Sequence, residues 1–417
     1  MRRISWRIVP FIGFGYFLAY INRVNLGFAA KEMNADLHFD ALVYSWGAGI
    51  FFIAYFFFEV PSNIALERFG ARKWIARIMV TWGVISAAMA LVSGPTSFYT
   101  LRFLLGLAEA GFFPGIILYL TYWYPAVYRG RVLASFIAAV PISVVVGSSL
   151  SGLILGLDGL AGIRGWQWVF IVEGVPAVLL GFFTWFYMTD RPEKASWLPE
   201  REKQWIVSAL AHDRAANKTP HMTLVQALGS ATVLLMSLAY FGFVAALYGM
   251  QFWLPQIVQA FGLSNAETGF VAAVPYVVAT PAMLLWGRHS DRTGERVWHA
   301  VLPLALTAVA LAACSFLTGP LPTLLALTVA AVGVFCSFAV LWTIPTALLA
   351  GTAAAGGIAM INSIGNLAGF AGPYIIGWVK QSTGSTTNGL LFLAACPFVS
   401  ALVVLLVGRL FGARLKR

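Results

Sequence analysis

Apolar runs of about twenty residues, separated by short polar stretches, recur along the whole chain. A helix that crosses the hydrocarbon core of a bilayer needs about 20 mostly apolar residues. The pattern predicts twelve such spans, at 8–28, 43–64, 74–93, 98–123, 131–156, 167–188, 230–255, 266–286, 299–317, 321–343, 352–378 and 389–411. Gly and Pro inside several runs agree with this reading, because neighbouring helices re-satisfy the backbone in a membrane. One long polar stretch, 189–229, leaves six spans on either side. Within it, Pro199 and the acids Glu200 and Glu202 form a helix-start signal, and Trp205, Ile206, Ala209 and Leu210 repeat at helical spacing. These residues predict a short amphipathic helix on the membrane face that tethers two bundles.

Composition removes the soluble alternative. Hydrophobic residues make up 60% of the 417 and charged residues only 10%, against about 25% charged in soluble domains. The three cysteines, Cys314, Cys336 and Cys396, all lie in apolar runs with no paired spacing, so neither a disulfide framework nor a metal site is implied. The net charge of +11 does not point to nucleic acid, because the basic residues sit between spans rather than in one patch with interleaved aromatics. Of 27 Lys and Arg, 22 fall on the side that carries both termini and the long polar stretch. Three (Lys31, Arg164 and Lys380) fall on the other side, and two (Arg23 and Arg102) lie inside spans. Basic loops stay cytoplasmic, so both termini are expected inside an inner (plasma) membrane. Arg2-Arg3 followed by an apolar run resembles a signal peptide, but no convincing cleavage site follows, and an uncleaved first helix is expected.

The two bundles are related in sequence. Asn63-Ile64-Ala65-Leu66-Glu67-Arg68-Phe69-Gly70-Ala71-Arg72 follows the second span, and Gly287-Arg288-His289-Ser290-Asp291-Arg292-Thr293-Gly294-Glu295-Arg296 follows the eighth. Both contain [DE]-R-x-G-x-R, at equivalent places in each half. Internal repeats of this kind build many transporters, with the substrate site near the midplane where the halves meet. The expected fold is an all-α membrane protein of twelve transmembrane helices in two pseudo-symmetric six-helix halves. Residues 1–190 form the first bundle, 191–228 the linker and 229–417 the second bundle.

These loops carry a resemblance to the major facilitator superfamily over essentially the whole chain. Tyr20-Ile21-Asn22-Arg23-Val24-Asn25, Phe58-Glu59-Val60-Pro61-Ser62-Asn63 and the run from Arg102 through Glu109 to Gly115 resemble its anion:cation symporter branch. Ile116 to Pro125 and Asp190-Arg191-Pro192 are most similar to bacterial tartrate and phthalate transporters. The resemblance implies a secondary active transporter that imports a small organic carboxylate with protons by alternating access. It implies no cofactor, and its partners are the anion, protons and the lipid bilayer; a monomer is expected. The first loop copy departs from the family pattern at Asn63 and Glu67, where Gly and Asp are usual.

Charge within a bilayer costs about 2.5–3.5 kcal/mol per residue even on insertion scales, so each such residue is a functional candidate. Arg23, with Tyr20 one turn before it, offers a planar fork for a carboxylate; the alternatives are snorkelling or an interhelical pair. Arg102 and Glu109 lie seven residues apart and so share a face of span 4. An anion competing for the arginine would change the proton affinity of the acid, or else the two form a permanent pair. The resemblance favours Glu109 as proton carrier, with Arg102 at the substrate or at an outer gate. Asn22 stands where many relatives have Asp, so one expected carboxylate is missing, and the second proton falls to the substrate, Glu59 or Glu173. Glu59 is expected in gating against Arg129 or Arg131, and Glu173 in a cytoplasmic-side or interhelical contact. Glu67, Arg68, Arg72, Asp291, Arg292 and Arg296 are expected to hold the cytoplasmic side shut. The second half has no buried Asp, Glu, Lys or Arg expected in its spans, so it must contribute polar and aromatic contacts: Asn362 and Asn366 (one turn apart) could present amides to the substrate, the resemblance implies Trp342 near it, and Tyr55 is added from the first half. Tyr240, Tyr248, Gln251 and Tyr276 are weaker candidates.

Two other functions compete. Proton-coupled efflux uses the same fold, but cationic cargo favours unpaired acids over the intramembrane arginines found here. An enzyme or receptor is disfavoured, because the chain has no HExxH, P-loop or GxSxG and no histidine within a span core.

Overall fold

The chain was described as a computed structural model, covering residues 1–137, 139–216, 229–349 and 352–415. The expected linker is therefore seen to residue 216, and its remainder, like the side chain of Arg131, lies outside the described residues. All regular structure among the described residues is helical. Ten helices are long and apolar enough to cross a membrane, and Val297–Ala313 is a shorter apolar helix. Thr352–Asn366 and Ala368–Thr383 together occupy the predicted eleventh span, interrupted at Leu367. Among the described residues, helices occupy all twelve predicted spans of the expected all-α membrane fold, six before the linker helix and six after it.

Local chemistry sets the helix ends. The Asp40 side chain accepts from the Val43 N–H at 2.7 Å and starts the second span. Ser264 and Glu267 form a reciprocal capping box at the start of the eighth. Several helices run past the predicted limits, the first from Arg2 to Leu37, because the apolar pattern records only the part that meets lipid. The linker helix Glu200–Ala216 buries Ile206 and Leu210 and leaves Trp205 exposed. Large apolar side chains such as Leu179, Phe182, Phe183 and Phe186 cover the outside of the sixth span, a surface suited to lipid rather than water.

The packing repeats between the halves. Spans 3 and 6 pair as spans 9 and 12 do, spans 2 and 4 as spans 8 and 10, and spans 1 and 5 as spans 7 and 11. Without a hydrophobic drive between helices, close backbone approach supplies the attraction. Gly106 on span 4 sits directly against the Phe51 carbonyl of span 2, where a Cβ has no room.

The halves meet through span 2 against 11, span 5 against 8 and span 1 against 7. These contacts are tight on the side away from the linker. A Cβ added to Gly27 would lie 3.0 Å from the Gln251 carbonyl, and one added to Gly152 would lie 2.8 Å from the Cα of Gly269. The Tyr44 hydroxyl donates to the Phe252 carbonyl at 3.2 Å, and the Asn265 amide donates to Glu32 at 2.6 Å. On the linker side no ion pair joins the halves among the described residues. The molecule is closed on the face away from the linker.

Candidate functional site

Three helices bring Arg23, Glu109 and Tyr248 together at mid-depth between the halves. Arg23 Nε donates to Glu109 Oε1 at 2.8 Å, and Nη2 donates to the same oxygen. Arg23 Nη1 donates to the Tyr248 hydroxyl at 2.8 Å. The guanidinium also lies 5.2 Å from the centre of the Tyr20 ring and 5.5 Å from those of Phe51 and Tyr55, a cation–π setting. One cation thus spans both halves.

A break in span 4 places the carboxylate. Pro95–Glu109 ends at Ala110, whose ψ of 131° is extended, and Gly111 follows with φ 86° before Phe112–Trp123 resumes. A positive φ of this kind is what glycine supplies without strain, and Ser62 packs where a side chain at 111 would go. Glu109 is therefore the last residue of a helix and turns toward span 1.

The pairing differs from the one that the shared face of span 4 suggests. Arg102 does not pair with Glu109: its Nε donates to the Gly47 carbonyl at 3.0 Å and its Nη2 to that of Ala48 at 3.1 Å. A helical carbonyl has a second lone pair for such a bond, and the close approach of span 2 at Gly106 brings these carbonyls within reach. Arg102 is fully buried there, 5.0 Å from the Phe51 ring, and does not line the central cavity.

That cavity is lined by Tyr20, Arg23 and Tyr55 from the first half and Tyr240, Tyr248, Trp342, Asn362 and Asn366 from the second. It encloses about 30 Å³, room for one or two waters and too little for a four-carbon diacid. Tyr16 also lines it, and sequence reasoning missed this residue. The signal was present, since Tyr16, Tyr20 and Arg23 stand at i, i+4 and i+7 on one helix face. Gln251 is buried one turn away with both amide atoms unpartnered, and Tyr276 packs edge-on against Phe335 in its own half.

Asn22 faces the other way. Its amide donates to the carbonyls of Leu18 at 2.9 Å and Glu173 at 3.0 Å, and it accepts from the Ser86 hydroxyl. Glu173 is buried in span 6, where Ser151 donates to it at 2.7 Å. It lies eight residues from the start of that span at Gly165, so the contact is interhelical and away from the linker side.

Of the two partners expected for Glu59, the Arg131 side chain lies outside the described residues, and the bonds described for Glu59 go to the other half. Glu59 accepts from the Asn362 amide at 3.1 Å and the Ser363 hydroxyl at 3.4 Å, both across the interface. Span 2 continues ten residues beyond it to Phe69, about 15 Å of helix, so Glu59 lies well inside the span rather than at its end. Arg129 instead donates to the Tyr124 carbonyl at 2.7 Å and lies 4.0 Å from Asp213 of the linker helix.

In this state, closed on the opposite face, the repeated loops make local contacts. Glu67 and Arg68 are exposed, and the Arg72 backbone N–H donates to Asp190 at 2.8 Å. Asp291 pairs with Arg296 at 2.6 Å and Arg292 is exposed. Beside them, Glu295 lies 2.8 Å from His299 Nδ1, and His299 Nε2 lies 2.7 Å from His289. Partial burial pushes the Glu295 carboxyl up, but the backbone N–H groups of Trp298 and His299 and the imidazole outweigh it and hold the group below its ordinary range. Each loop thus binds within its own half.

The sequence pattern of the Major Facilitator Superfamily matches residues 12–373. A protein of Agrobacterium vitis whose name assigns it to tartrate transport is 53% identical over 98% of this chain and 91% of its own length. A quinolone resistance transporter of Acinetobacter baumannii is 44% identical over 94% of this chain and 91% of its own length. Among solved structures, a bacterial homologue of the human lysosomal transporter Spinster, crystallised inward-facing and occupied, superposes with a TM-score of 0.79 at 16% identity, covering 98% of this chain and 97% of that one.

Proposed function

The chain belongs to the major facilitator superfamily, and from that premise we propose that it imports a small organic carboxylate by proton symport with alternating access. The relatives named for tartrate transport support the cargo class. The observation that carries the reading is the bridge from Glu109 through Arg23 to Tyr248 at the centre of the interface.

The chemistry follows from competition for one cation. With Glu109 ionised, Arg23 is occupied and the site has little net charge to offer an anion. A proton on Glu109 weakens that pair and frees the guanidinium for the substrate carboxylate. By linkage, a bound carboxylate raises proton affinity at Glu109 by the same factor. Asn362, Asn366 and Trp342 bind the rest of the molecule, and Tyr20 and Tyr55 wall it. Arg102 keeps spans 2 and 4 together as the halves rock. In the opposite state, with the linker side shut, Glu67, Arg68, Arg72, Asp291, Arg292 and Arg296 exchange their local partners for contacts between halves, and Arg129 ties this face to the linker.

Glu59 is the latch of the present state. It accepts donors from span 11 that an arriving carboxylate also needs, so substrate at Asn362 releases it. Glu59→Gln and Asn362→Ala are each expected to lower the maximum uptake rate about fivefold. The double variant is expected to fall no further, a coupling of about 1 kcal/mol read from a double-mutant cycle on uptake. Strict additivity would remove the latch.

Proteoliposomes test the whole reading: tartrate, phthalate, nicotinate, galactonate and glucarate are added in turn while internal pH is followed. Acidification of the lumen with at least one acid is expected. No proton movement with any of them would overturn carboxylate symport. The relative named for quinolone resistance favours a second reading, proton-coupled efflux; a quinolone that leaves the vesicles as protons enter would support it. The proposed setting is a bacterial inner membrane, with both termini cytoplasmic and one chain per transport unit.

A further inference from the structure

On the face away from the linker, the ends of spans 1, 2, 7 and 11 surround a pocket of about 510 Å³, within the size range of small-molecule sites. Its charged lining is Lys31, Lys380 and Asp40, with Trp253, Gln256 and Gln259 as the main polar and aromatic surface. This face carries only three basic residues outside the spans, Lys31, Arg164 and Lys380. Arg164 is paired with Asp36 at 3.4 Å. The other two both line this one pocket, and neither forms an ion pair among the described residues. Lys380 Nζ rests 4.8 Å from the centre of the Trp253 ring. Asp40 spends a carboxylate oxygen on the Val43 N–H, and Glu32, next to Lys31, accepts from Asn265 across the interface.

Helical spacing ties this pocket to the central site. Lys31, Gly27 and Arg23 are each four residues apart on span 1, and Gln256, Phe252 and Tyr248 are each four apart on span 7. Residues four apart lie on one face. The outer members line the pocket, the middle members form the closed contact of Gly27 against the Gln251 and Phe252 backbone, and the inner members are the bonded pair Arg23 and Tyr248. On span 11, Lys380 lies less than one turn beyond Gly377, which abuts Ser45 of span 2 in the same closure. Lys31 is thus about 12 Å along the helix from Arg23, on the same face, with the closure between them.

We propose that this pocket is an antechamber that captures the small carboxylate through Lys31 and Lys380 while the path to Arg23 is shut. The cargo class rests on the import reading of the central site; the anion site itself rests on the two lysines and the shared helix faces. A dicarboxylate suits two ammonium groups over an aromatic floor. Capture concentrates the anion above the closure, so uptake at low concentration gains most and the gain is screened by salt.

Binding is tested apart from transport by saturation-transfer NMR, with tartrate and phthalate as probes, on the purified full chain carrying Arg23→Gln and Glu109→Gln. This pair neutralises both central partners together and avoids stranding a buried charge. Saturation transfer is expected to persist in that protein and to be lost when Lys31→Gln and Lys380→Gln are added. No transfer before the lysines are changed, or transfer that survives their loss, would overturn the antechamber. In vesicle uptake from the same face, Lys31→Gln with Lys380→Gln is expected to raise KM about tenfold, with most of the loss in KM rather than kcat and a flattened dependence of KM on salt. An unchanged KM and salt dependence would also overturn it. If the otherwise unaltered chain carries no acid at all, the import reading fails, and the NMR measurement still decides the anion site.

Discussion

A Glu109→Gln variant is expected to exchange substrate across the membrane within a few-fold of the normal rate and to accumulate none. Gln has the shape of a protonated Glu, so it leaves Arg23 permanently available while carrying no proton. Each coupled proton lets a gradient of one pH unit drive about tenfold accumulation, since 1.4 kcal/mol is a factor of ten. For one proton per anion the ratio should fall from about ten to one. The measurement is paired: counterflow of labelled against unlabelled acid, and net uptake driven by a pH step. Proton-driven accumulation that survives in the variant would make the bridge between Arg23 and Glu109 structural. The coupling proton would then belong to Glu59, Glu173 or the substrate.

Removing the cation should cost more than removing the proton. Truncating one partner of a buried, hydrogen-bonded charge pair costs about 2–5 kcal/mol, so Arg23→Ala is expected to lower kcat/KM for uptake about 100-fold or more. Part of that loss is the stranded Glu109, which is 1% exposed and has no second cation bonded to it among the described residues. Arg23→Ala combined with Glu109→Gln separates the two contributions. Stability, read by thermal unfolding in detergent, should recover in the double variant while uptake stays low. Arg23→Lys retains charge but loses the planar fork and should fall between, about tenfold down. Near-normal kcat/KM in Arg23→Lys and Arg23→Ala alike would remove Arg23 from the substrate.

The fold was legible because the signal was long and one-dimensional. Twenty-residue apolar runs, one polar interruption and two copies of a loop motif determine the number of helices, the division into halves and the family without any knowledge of which faces touch. The site depends on those faces. Spacing correctly put Arg102 and Glu109 on one side of span 4, yet their partners differ, because the break at Ala110 and Gly111 turns the glutamate toward span 1 while Gly106 draws span 2 carbonyls to the arginine. Nothing local in the sequence sets the depth of one helix against another. The same limit explains Glu59, whose partners lie more than three hundred residues away in the chain. Tyr16 was within reach of face arithmetic, and the orientation of Asn22 away from Arg23 follows from adjacent helical positions pointing about 100° apart.

Every Asp, Glu, Lys or Arg that is fully buried within the spans lies in the first half, among the described residues. The second half faces the same cavity with aromatic rings and amides. On the proposed mechanism, the first half handles the proton and the charge of the cargo, and the rest of the cargo meets the second half. On that mechanism, substitutions at Tyr240, Trp342, Asn362 and Asn366 would change which molecule fits without touching the pair of Arg23 and Glu109. The same coupled pair could then serve cargoes of different shape, provided each brings a carboxylate for Arg23.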